Sequence, residues 1–136
     1  MYESRTYKPL SAREEFLGRE IVDAAYRVHK KLGPGLLERV YEAAFCYELT
    51  KKGIPYKRQA DIQFYYDDTL MDDTFRADVY VDQLVICELK SVEVVINLWP
   101  MQIISHLKIS RKRLGYLINF NVPELRRGIR RLVNKL

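Results

Sequence analysis

At 136 residues the chain has the length of one ordinary domain and can bury a core without disulfide or zinc staples. Cys46 and Cys87 sit inside apolar periodic segments with no further ligand at metal-binding spacing, which argues against a disulfide framework or zinc site and fits buried thiols in a reducing cytoplasm. No stretch approaches the roughly 20 apolar residues of a membrane span, and Met1-Tyr2-Glu3-Ser4-Arg5 lacks the apolar core of a secretory signal, so a soluble cytoplasmic protein is expected.

In chain order, Ser11 is the expected N-cap of a first helix, with Glu14 as its capping-box partner. Phe16, Leu17, Ile21, Ala24, Ala25, Val28 and Leu32 keep helical spacing behind it. Gly33-Pro34-Gly35 must stop that helix. A second runs from about Leu36 to Lys52 and ends at Gly53. Ile54-Pro55-Tyr56-Lys57 and Asp61-Ile62-Gln63-Phe64-Tyr65-Tyr66 read as strands, with a turn at Asp67-Asp68. Phe75–Val81 and Leu84–Lys90 then form a β-hairpin. A third helix begins near Asn97 or Pro100 and reaches about Arg111, Leu114–Phe120 is the last strand, and Pro123 opens a basic terminal helix. The pattern predicts a single α/β domain over residues 1–136, with a central mixed sheet flanked by helices.

The net charge of +5 is unevenly spread: from Lys108 to Leu136 nine Lys/Arg face one acid, Glu124. Arg126, Arg127, Arg130 and Arg131 are the candidate nucleic-acid contacts of that end; the same spacing also describes the solvated face of an amphipathic helix.

The hairpin holds the candidate chemistry. Glu88 and Lys90 are two residues apart on one strand, so both leave the same face. Asp78 joins them only if residues 78 and 88, 79 and 87, and 81 and 85 stand opposite each other, with Asp82-Gln83-Leu84 as the connection. A two-residue turn at Asp82-Gln83 would send Glu88 to the other face. Two carboxylates beside a lysine suit a divalent cation and a scissile phosphate; the same three groups also suit a surface ion pair.

Gly35, Glu38 and Tyr41 within Leu32–Glu42 resemble the signature of the GxxExxY family, part of the PD-(D/E)XK nuclease superfamily. Val28-His29, Arg76-Ala77-Asp78, Glu88-Leu89-Lys90, Gln102, Leu117–Phe120 and Val122-Pro123 extend the resemblance from about Ile21 to Val133. It implies a restriction-endonuclease-like core and a Mg²⁺ or Mn²⁺ site in which Asp78, Glu88, the Leu89 backbone carbonyl and Glu38 serve the metal. Lys90 is then the catalytic lysine, and Gln102 orients water or phosphate. Tyr41 and His106 are accessory candidates, His106 standing where a tyrosine is expected. His29 receives no role beyond core or capping duty. The implied activity is hydrolysis of phosphodiester bonds, in DNA more than RNA, with a homodimer as one assembly. The competing reading is a catalytically silent nucleic-acid-binding or assembly module on the same fold.

Overall fold

A computed structural model describes residues 8–135. Helix α1 spans Ala12–Leu32 and opens with the expected capping box: Ser11 Oγ accepts the Glu14 N–H at 3.0 Å, and Glu14 Oε1 accepts the Ser11 N–H at 2.8 Å. Gly33, at φ 68°, ends it in a conformation that costs glycine little. Helix α2 spans Glu38–Lys51, and its N-cap, Leu37, offers no side-chain hydrogen bond. Tyr41 supplies a substitute from inside the helix. Its hydroxyl accepts the Leu36 N–H at 3.1 Å and donates to the Gly33 carbonyl at 2.5 Å, while its ring stacks on Phe120 at 4.6 Å. Tyr41 thus clamps the Gly-Pro-Gly turn.

Strands β1 (Tyr56–Tyr66), β2 (Thr69–Val81), β3 (Val85–Lys90), β4 (Leu114–Asn119) and β5 (Ile129–Val133) form one sheet in the order β1-β2-β3-β4-β5. Helix α3, Leu98–Ser110, is the crossover that makes β3 and β4 parallel; the other pairs are antiparallel. The two strands expected between Ile54 and Tyr66 are one. Between them Gln59 takes φ 47°, and the chain kinks there without ending the strand.

The β2–β3 register is Val79↔Cys87, Tyr80↔Ile86 and Val81↔Val85, the pairing that puts Asp78 and Glu88 on one face. Asp82 and Gln83 both adopt positive φ although neither is glycine or asparagine, and the third connecting residue, Leu84, preserves the register.

The basic terminal helix expected after Pro123 does not form. A 3-10 turn at Leu125–Arg127 leads into β5, which pairs with β4 from Leu114↔Val133 to Ile118↔Ile129. The physical reason lies in β4, every residue of which is buried, so its open edge needs a backbone partner. Ile129 and Val133 favour extended backbone. Gly128 alone fits the approach, since a Cβ there would collide with the Asn119 carbonyl oxygen.

Two apolar layers enclose the sheet. Helices α1 and α2 pack on one face through Leu17, Ile21, Tyr41, Phe45 and Leu49 against Val79, Val85, Leu89 and Ile118. On the other face α3 places Ile103 and Leu107 against Ile62, Ile86 and Leu117. Each fully buried aliphatic side chain stabilises the fold by about 1.5–3 kcal/mol. Cys46 and Cys87 are buried free thiols, the first pushed up to about 12 by desolvation. This mixed sheet between helical layers is the restriction-endonuclease-like architecture expected.

Candidate active site

The β2–β3 ladder stops at Val79↔Cys87, while β3 continues to Lys90 with β4 as its partner. The two strands therefore open into a V. Asp78 stands one residue past the last pair, and its Oδ2 accepts the Leu89 N–H at 2.8 Å, taking the place of a ladder carbonyl. In an extended strand the N–H and C=O of one residue point to the same side, so the Leu89 carbonyl lies on the Asp78 border of β3.

The kink at Gln59 helps open this V. The pairs Arg58↔Val79 and Ala60↔Ala77 flank it, yet Val79 belongs to the α1–α2 layer and Ala77 to the α3 layer. The hairpin thus changes face opposite Asp78. A buried acid on α2, Glu42, holds the distortion: it accepts from Arg58 at 2.9 Å and from Gln59 Nε2 at 2.6 Å. Glu42 was not singled out from the sequence. Its only signal is an acid next to Tyr41 on a helix whose apolar face points at the sheet.

Glu88 is pushed up to about 8, first by burial, then by the facing Asp78 carboxylate and a hydrogen bond shared with it; Lys90 and the Asp78 N–H oppose the shift. At neutral pH Glu88 therefore keeps a proton, held between two carboxylates. Such a pair is the oxygen donor set that a divalent cation displaces a proton to occupy. Glu38, in the first turn of α2, feels the same field. Partial burial raises its pKa first and Asp78 adds to this, against Lys90 and the Ser91 N–H. Among the described residues no group of three or more His, Cys, Asp or Glu side chains is already arranged to hold a metal. The nearest donor set is two carboxylates and one carbonyl, with Glu38 exposed beside them.

Behind these acids lies a pocket of about 180 Å³ bordered by Arg76, Glu88, Lys90, Trp99, Gln102 and His106. Lys90 Nζ sits over the Trp99 ring, 4.4 Å from its centre, a contact the sequence reading did not anticipate because Trp99 keeps the helical period of a core residue. His106 stacks on Phe75 with centroids 4.1 Å apart, and burial lowers its pKa, so the ring is neutral at pH 7; its Nδ1 is buried without a partner. Gln102 is exposed at the mouth.

Other candidates lie elsewhere. His29 Nε2–H donates to the Val122 carbonyl at 2.7 Å and ties α1 to the segment after β4. Arg126 and Arg127 contact Glu124, Arg131 reaches Glu15 at 2.8 Å, and Arg130 is exposed on β5. None of the four arginines borders the pocket. A larger open groove of about 900 Å³ lies between the end of α1 and the 3-10 turn, beside Arg27, Lys30, Lys31 and Arg126, and contains none of the site carboxylates. Among the described residues no helix is long and apolar enough to cross a membrane.

The family model that matches this chain is described as PD-(D/E)XK nuclease superfamily and covers residues 15–132. No curated protein and no solved structure matches the chain.

Proposed function

We propose that this chain, which belongs to the PD-(D/E)XK nuclease superfamily, is a divalent-metal-dependent nuclease of the GxxExxY type that hydrolyses phosphodiester bonds, in DNA more than in RNA. The observation that carries the reading is the half-buried Asp78–Glu88 pair, two carboxylates that share a proton at the open end of the β2–β3 hairpin. Asp78, Glu88 and the Leu89 carbonyl would hold Mg²⁺ or Mn²⁺, with Glu38 as a further acid beside them. Bound there, the cation lowers the pKa of water and offsets charge on the phosphate.

The side chains divide the remaining work. Glu88 would give up its shared proton to serve as a ligand. Lys90, with its ammonium held over Trp99, presents positive charge to the phosphate oxygens or the attacking water. Gln102 offers an amide hydrogen bond to phosphate or water from the mouth. His106, neutral and stacked on Phe75, contributes an N–H and no charge. Tyr41 acts on the Gly33–Leu36 turn that carries Glu38 into place, and does not touch phosphate. The one continuous sheet and the extent of the family match support a single nuclease-like domain over residues 1–136, and two buried thiols fit a cytoplasmic setting. Exposed Tyr66 on edge strand β1 is in keeping with a homodimer paired through that edge.

A silent binding module has one observation in its favour, the lack of a three-ligand cluster among the described residues. Cleavage assays separate the two. With Mg²⁺ or Mn²⁺ and labelled DNA and RNA, wild type cuts and Asp78→Ala loses about three orders of magnitude in rate, the equivalent of several kcal/mol of transition-state stabilisation. Equal rates in the two proteins refute the assignment; binding without cleavage in both selects the silent module.

A further inference from the structure

Exposed apolar side chains lie on the segments that flank the Lys90 pocket, where a duplex-binding site would carry charge. Leu98, 55% exposed, precedes Trp99 in the first turn of α3. Val94, Val95 and Ile96 are exposed in the loop that leads into the helix, and Leu37, 62% exposed, precedes Glu38 on the facing side. The two sides are tied together, since Ser91 Oγ donates to the Leu36 carbonyl at 2.6 Å.

The cations that border the pocket are Arg76 and Lys90. Much of the remaining positive charge is engaged within the fold: Arg111 with Asp68 and the Tyr65 ring, Arg58 with Glu42, Arg13 with Asp82, Arg131 with Glu15. Double-stranded DNA carries one charge per about 1.7 Å of axis and needs a basic track to match. A single strand needs fewer phosphate contacts, because its unpaired bases also bind through their faces to aromatic and apolar side chains, at about 1–3 kcal/mol per base.

We infer that the substrate is a single strand, or the unpaired end of a duplex. Its phosphate sits against Lys90 and Arg76, and its flanking bases lie on a ledge of Trp99 and the exposed Leu98 and Ile96 that precede it. The inference rests on the nuclease reading only in placing a phosphate at Lys90. A protein partner would use the same apolar ledge, but it would leave Lys90 and Arg76 unmatched; a nucleic-acid strand engages both halves of the surface.

Trp99 is the chain's one tryptophan, so it reports directly on its own surroundings. Its fluorescence is titrated in chelator, where no cleavage occurs, with a 12-nucleotide oligo(dT) and with a 12-base-pair duplex. The single strand should quench it and bind at least about tenfold more tightly than the duplex. The dependence of log affinity on log salt should have a slope of about −1.4, that of two phosphate contacts. Ile96→Ser/Leu98→Ser, at two exposed positions outside the core, should weaken oligo(dT) binding by about tenfold, the loss of one stacked base. Equal or tighter duplex binding, no response to either strand, or an unchanged affinity in the double variant overturns the inference. So does self-association that the double variant abolishes without any nucleic-acid binding. The outcomes separate from those of the activity reading. Strong single-strand binding with no metal-dependent cleavage removes the nuclease and leaves this inference; preferential cutting of blunt duplex does the reverse.

Discussion

Lys90→Ala lowers the single-turnover rate of metal-dependent cleavage by about 10²–10³-fold while the fold and the metal site persist. Removing one pre-oriented charge or donor from a developing oxyanion typically costs that much. Lys90 ends β3, half-buried, with its stem fixed by the β4 ladder at Lys90↔Asn119 and its ammonium placed by the Trp99 ring. Its charge also lowers the pKa values of Glu88 and Glu38, so the variant should require a higher pH for the same metal occupancy. Rates measured at saturating metal separate the two effects. Lys90→Arg does not restore activity, because a planar guanidinium is not a point charge of the same reach. Full activity in Lys90→Ala would remove the residue from the chemistry and leave it as a partner for Trp99.

Glu88→Gln changes the pH dependence of stability more than any other single substitution at the site. In the folded protein Glu88 titrates near 8, against an ordinary value of 4.5. Between those values the native state holds a proton that the unfolded chain has released. The unfolded state therefore binds fewer protons, and stability falls as pH rises through this window. The contribution is fully present below about pH 4.5 and is lost as pH approaches 8; its size is on the order of a few kcal/mol, or about 10 °C in Tm for a domain of this length. Thermal unfolding of metal-free wild type from pH 5 to pH 8 should show the decline, and Glu88→Gln, neutral at every pH, should flatten it. Mg²⁺ or Mn²⁺ should restore wild type most at the alkaline end, where little proton remains to displace. Parallel Tm profiles in the two proteins would mean that Glu88 is not held protonated by its surroundings.

The hairpin was legible because Val79, Val81, Val85 and Cys87 share the α1–α2 layer. A one-residue slip of either strand would have split that set between the two faces of the sheet, so the apolar pattern favours the register that aligns Asp78 with Glu88. The capping box on α1 was legible for a similar reason, its two hydrogen bonds being local in sequence. The C-terminal segment misled because Arg126, Arg127, Arg130 and Arg131 have the spacing of a helix face. What decided its structure was the open edge of β4, a long-range demand invisible in a local window. Gln59 was hidden in another way: a polar residue between two strand-like runs looks like a loop, and only the Glu42 contacts reveal a kink within one strand. Trp99 and Glu42 matter through partners 9 and 16–17 positions away, Lys90, Arg58 and Gln59. Their residue types and spacing alone do not announce those roles.

The central claim, that Asp78 and Glu88 form a divalent-cation site, is tested most directly by calorimetric titration of Mn²⁺ into wild type and Asp78→Ala/Glu88→Ala at pH 7, in two buffers of different ionisation heat. Wild type should bind the ion and release close to one proton, that held by Glu88, and the double variant should do neither. Binding of equal strength in both proteins, or no binding in wild type, would contradict the account.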